Sequence, residues 1–178
     1  MRPTETSERI HFNAPLSTGL KVSTAIVTVL VVGASTGGAI TLSLVTHSLS
    51  AWLGILVVVT GPLALLVTAL FAVHGYELKH DALYVQRPLW HTRISLRGLR
   101  EATADAGAMG GAIKVCGCSG FLCYVGWFTN RRLGRFRACA TDANRAVVLR
   151  FRDRTWVVTP DDPEQFIARI KEKAGLAA

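Results

Sequence analysis

The chain has 178 residues, 50% of them hydrophobic, with 20 Lys and Arg against 12 Asp and Glu and a formal net charge of +8. This mixture suits a small membrane protein better than a water-soluble enzyme. The charge is segregated: residues 22–74 contain no Lys, Arg, Asp or Glu and only His47 and His74 as ionisable groups, whereas residues 75–178 carry 17 basic against 10 acidic side chains.

Residues 1–21 read as a short cytoplasmic tail. The following run, KVSTAIVTVLVVGASTGGAITLSLVTHS, supplies about 25 uncharged residues, roughly 37 Å of helix at about 1.5 Å per residue, enough to cross a hydrocarbon core with some tilt. It predicts a transmembrane helix over 22–46. A second run, WLGILVVVTGPLALLVTALFAVHG, predicts another over 52–74, with Trp52 at an interface and Gly61-Pro62 as a tolerable kink. The connection HSLSA leaves room only for a tight hairpin. A cleaved signal peptide is disfavoured, because the first run is far longer than a signal core of about 7–15 residues and a second follows at once.

Orientation follows from basic residues. Arg2, Arg9 and Lys21 precede the first span, none sits in the connection, and Lys79, Arg87, Arg93, Arg97 and Arg100 follow the second. The positive-inside rule therefore places both termini in the cytoplasm of a multi-pass protein of the inner (plasma) membrane. Within the first span, GASTGG sets Gly33 four residues before Gly37, and Ala34 four before Gly38. Such small-residue spacing lets helices approach closely, here against Gly54 or Gly61 of the second span, or alternatively in a homo-oligomer. No acidic or basic residue lies at membrane depth, which argues against an ion pathway or proton relay.

From residue 75 the pattern changes to short β-rich segments: YELKH, LYVQRP, WHTRISL, FRACA, AVVLRF and TWVVT. They predict an antiparallel sandwich or barrel. The expected hairpin, RFRACATDANRAVVLRFR, turns at Thr141–Asn144 and sets Phe136 against Phe151, Ala138 against Leu149 and Ala140 against Val147 on a dry face. The other face then carries Arg137 opposite Arg150 and Arg135 opposite Arg152. A closing helix is signalled by DDPEQFIARIKEKAG: Asp162 is the N-cap, Pro163 the first helical position, and Phe166, Ile167, Ile170 and Ala174 form the apolar stripe. Gly175 is its stop.

GFLCYVGWFTNRRLGRFRACATD, followed by VVTPDDPEQFIARI, resembles the bacterial pleckstrin-homology (PH) domain family. The motifs are Gly120–Phe128, Leu133–Asp142 and Pro160–Phe166, in the family's order. The resemblance implies that residues 75–178 form two nearly orthogonal antiparallel sheets closed by the carboxyl-terminal helix, behind a pair of membrane spans. Cys139 stands where the family tends to place a bulky residue, which implies looser packing there. For function it implies little, because the fold hosts lipid, peptide and protein binding. The basic loop that grips phosphoinositides in eukaryotic relatives is reduced here to Asp81-Ala82, so that activity is not carried over.

Cys116, Cys118, Cys123 and Cys139 lack the paired spacing of zinc sites, and the reducing cytoplasm disfavours a disulfide. His11, His47, His74, His80 and His91 are dispersed, and no metal or cofactor is implied. The sequence has no nucleophile elbow and no phosphate loop, and GAMGGA, residues 107–112, reads as a flexible loop. No catalytic residue is assigned. The candidate binding surface is the basic face of Arg131, Arg132, Arg135, Arg137, Arg150, Arg152 and Arg154. It would contact anionic lipid or an acidic protein partner, or else be simply solvated with Asp142 and Asp153 as counter-ions. Nucleic acid is not expected. The chain thus reads as a membrane-anchored, non-enzymatic binding or scaffolding module, with an accessory subunit recognised through its transmembrane helices as the alternative.

Overall fold

The computed structural model describes residues 10–45, 50–79 and 81–175. Arg2, Arg9, His47, His80 and most of the HSLSA connection lie outside the described residues.

The chain begins with β1 (Ile10–Asn13), then α1 (Thr18–Val45) and α2 (Ser50–Ala69). There follow β2 (Gly75–Lys79), β3 (Ala82–Gln86), β4 (His91–Ser95), β5 (Leu99–Ala104), β6 (Ile113–Phe121), β7 (Cys123–Asn130), β8 (Gly134–Ala140), β9 (Val147–Phe151), β10 (Thr155–Val158) and α3 (Pro163–Ala174). The strands form two sheets, ordered β1-β2-β3-β4 and β5-β9-β10-β8-β7-β6.

Residues 10–21 are more than a tail. Phe12 is the reason: it alternates inward on β1, is buried, and meets the Phe166 ring edge-on at 5.1 Å, so four residues of the expected tail become an edge strand on β2. The helix α1 contains one segment, Thr18–Thr41, long and apolar enough to cross a membrane, and little of it is buried. The 20-residue α2 runs continuously through Pro62 and packs against α1. The contact is at Gly61, where an added Cβ would run into the Ser35 hydroxyl. Gly33 and Gly37 are not part of it: nothing stands within 4 Å of a Cβ built at either.

The second sheet corrects two expectations. It is mixed rather than antiparallel, since β10 runs parallel to β8, and the predicted β8–β9 hairpin does not form. Asp142 does cap a short 3-10 turn, Ala143–Arg145, but β9 then pairs with β10, and β10 is inserted between β9 and β8. The physical cause is the apolar run Trp156-Val157-Val158. All three are buried, so the strand needs cover on both faces and takes a central place in the sheet.

This insertion divides the residues expected to share one dry face. Leu149, Val147 and Phe151 face the main core between the sheets, with Tyr76, Leu83, Ile94, Phe166 and Ile170. Phe136 and Ala138 face outward into a second cluster with Val148, Val157 and Phe128. That outer cluster is covered by the GAMGGA segment, which is a folded turn: Ala108 is fully buried, and its carbonyl accepts from Asn130 Nδ2 at 2.8 Å.

The closing helix forms as its signals predict. The Asp162 side chain accepts from the Gln165 amide at 3.0 Å, Gly175 adopts the left-handed conformation, and Phe166 and Ile170 are fully buried.

Candidate functional site

Strand register decides where the seven predicted arginines go. Arg137 stands opposite Trp127 on one side and Trp156 on the other, and Trp156 stands opposite Leu149. The Arg137 side chain therefore rises from the inner face of the second sheet. Its guanidinium carbon lies 4.9 Å from the Trp156 ring centre and 5.6 Å from that of Trp127, while Arg135 lies 4.6 Å from Trp127. Arg150, one residue beyond Leu149, points to the opposite face and approaches Glu101 at 3.8 Å. The expected like-charge pairs are thus replaced by aromatic faces and a carboxylate, which favour a cation instead of repelling it.

The remaining four lie in two turns. Arg131 and Arg132 follow β7, where Arg132 pairs with Asp105 at 2.9 Å. Arg152 and Arg154 connect β9 to β10, with Arg154 stacked 4.8 Å from the Phe151 ring centre. Because β8 and β10 run parallel, both turns sit at the same end of the sheet. The helices are rooted at the other end. The Ser17 amide donates to the Thr141 carbonyl at 3.3 Å, the Leu122 amide to Thr24 Oγ1 at 3.0 Å, and Phe71 meets Trp90 at 5.2 Å. At about 3.4 Å per residue, the six steps from Ala140 to Gly134 separate the two ends by roughly 20 Å. The predicted face is therefore not one patch.

The root end contains a cavity of about 700 Å³ that sequence reasoning did not reveal. The second sheet is wider than the first, so the inner faces of β6, β7 and β8 overhang; the end of α2 and the β3–β4 turn supply the other walls. Three cations line it, Arg87, Lys114 and Arg137, together with Trp90, Trp127 and Trp156. No carboxylate does. Arg87 Nη2 lies 3.5 Å from Cys139 Sγ, so the guanidinium occupies space beside this small residue.

Burial pushes the Cys139 thiol up, outweighing the pull of Arg87, so it remains neutral and supplies no counter-charge. Arg87 Nε is buried without a hydrogen-bond partner. An unsatisfied donor of that kind costs about 1–3 kcal/mol. The group here that gains negative charge near neutrality is Cys118, which a hydrogen bond with Cys123 lowers to about 7. The same bond, with burial, pushes the Cys123 thiol up.

Of the four cysteines, Cys123 and Cys139 are buried packing residues, Cys118 is partly buried and Cys116 is exposed. Among the described residues no three His, Cys, Asp or Glu side chains converge as metal ligands. Gly117 and Gly126 face each other across β6 and β7 with φ of 123° and 136°, and a Cβ on either would strike the opposite backbone. The β2–β3 turn is no anion site: Asp81 occupies it, held below the usual carboxylate range by the Arg97 guanidinium at 2.8 Å.

A family model described as "Bacterial PH domain" matches residues 74–174, more than half of the chain. Neither the curated proteins nor the solved structures include a match to it.

Proposed function

The chain belongs to the bacterial PH domain family, and on that premise we propose that it is a non-enzymatic binding module held at the inner (plasma) membrane by two transmembrane helices, its β domain and both termini in the cytoplasm. The family is generally non-catalytic. The observation that carries the proposal is the pairing of β1 with β2: Asn13 stands opposite Gly75, so the apolar helices leave the β domain and return to it at one place. A chain so tied crosses a membrane twice or not at all. The lack of charge in residues 22–74 favours crossing. Burial of Phe12 ahead of α1 also argues against removal of that helix as a signal peptide, because cleavage would strip a core residue from the sheet.

The domain's ligand on this reading is an anionic surface or an acidic partner. Each cation near an anionic leaflet contributes about 1 kcal/mol, and the cations able to reach it are those at the helix roots. Alkaline carbonate extraction of membranes tests the anchoring: the protein stays in the pellet, and release into the supernatant would sink the proposal.

A second reading is favoured by one feature. Gly33 and Gly37 leave an open small-residue groove on α1, turned away from the Gly61 contact, and this suits recognition by another transmembrane helix, from a copy of this chain or from a larger complex. Gly33→Leu with Gly37→Leu would abolish function while the protein still folds, whereas Arg87→Gln with Arg137→Gln would not.

A further inference from the structure

The cavity at the helix roots has one wall of helix and one of sheet. Val67, Thr68 and Phe71 of the α2 end form the first, and the exposed apolar residues Leu63 and Leu56, four and eleven residues before Val67 and so on its side of the helix, continue it up the helix away from the β domain. Arg137 on the sheet wall is held between two tryptophans, and Arg87 enters from the β3–β4 turn with its Nε unpaired. A soluble anion would use the cations but not the apolar helix above them. A molecule with a negatively charged head and hydrocarbon tails would use both, head against Arg87, Lys114 and Arg137, tails along Leu63 and Leu56.

Resting on the membrane-tethered reading above, we propose that this cavity binds the phosphate headgroup of an anionic glycerophospholipid from the surrounding leaflet. Its volume is within the range of small-molecule sites, about 300–1,000 Å³. Arg137 is fixed in advance by its tryptophans, so little side-chain freedom is lost when a phosphate arrives. The turn arginines Arg131 and Arg152, at the far end of the sheet, take no part.

The test uses the full-length protein in nanodiscs of phosphatidylcholine, with or without phosphatidylglycerol, followed by native mass spectrometry of the lipid retained on the protein. Phosphatidylglycerol is expected to be retained in preference to phosphatidylcholine. Arg87→Gln and Arg137→Gln each lower that retention by about tenfold or more, the loss of a charge-assisted contact, while Arg131→Gln and Arg152→Gln leave it unchanged. Should Arg87→Gln not fold, as judged by circular dichroism, Arg137→Gln and Lys114→Gln on exposed side chains carry the test. Equal retention of the two lipids, or unchanged retention in the cavity variants, would overturn the proposal. So would displacement of the lipid by millimolar inorganic phosphate, which would make this a site for a soluble phosphate. Failure of the tethered reading is distinguishable, because the protein would then not enter nanodiscs at all.

Discussion

Phe12 and Phe166 meet edge to face at 5.1 Å, one from the strand that precedes the helical hairpin and the other from the helix that ends the domain. Residues separated by almost the whole chain thus share one core, and the pair of apolar helices is an insertion into the β domain rather than a leader attached to it. Phe12→Ala is expected to lower stability by about 3–5 kcal/mol, the range for truncating a buried phenylalanine. Denaturant unfolding of the purified protein in detergent measures it. A change of a few tenths would mean that β1 is only loosely attached.

A polar knot ties the α1 entry to the sheet. The buried Thr159 hydroxyl accepts from the Thr141 amide at 2.8 Å, the Tyr76 hydroxyl donates to the Cys139 carbonyl and accepts from the Thr159 amide at 3.0 Å, and Thr141 Oγ1 donates to the Pro15 carbonyl at 2.9 Å. Burial pushes the Tyr76 phenol up, so it stays protonated and able to donate. Thr159→Val keeps the shape but leaves the Thr141 amide buried without its acceptor. It should cost about 1–3 kcal/mol in the same unfolding measurement, and a neutral result would show that the knot adds no stability.

The hydrogen bond between Cys118 and Cys123 predicts a pH dependence of labelling. A lowered pKa means that Cys118 reaches its thiolate form at lower pH than an ordinary thiol, with half-maximal reactivity near pH 7. In a Cys116→Ser background, the rate of alkylation by iodoacetamide should rise through that value. Cys123→Ala removes the hydrogen bond and moves the midpoint up toward the ordinary value of about 8.5. An unmoved midpoint would show that Cys123 is not the cause.

The parts legible in the sequence are those whose signals are local. Asp162, Pro163 and Gln165 announce α3 within four residues, and the uncharged run of residues 22–74 announces the apolar helices by length alone. β1 was not legible, because IHFN offers too few alternations to distinguish a strand from a tail. The place of β10 between β9 and β8 is not given by any local signal, although TWVVT, apolar on both faces, suits a central strand. The cavity depends on five separated segments, the α2 end, the β3–β4 turn, β6–β7, β8 and β10, which no spacing rule connects. The charge of Arg137 is visible in the sequence, but its place between Trp127 and Trp156 follows only from the strand order.

The central claim is that the β domain lies inside the cell and the helical hairpin crosses the membrane. Labelling with a membrane-impermeant maleimide tests it directly, comparing Ser48→Cys, between the two helices, with the native exposed Cys116 of the β domain. The account predicts that Ser48→Cys reacts in intact cells and Cys116 only after permeabilisation. Reaction of Cys116 in intact cells, or protection of Ser48→Cys until they are opened, would contradict it.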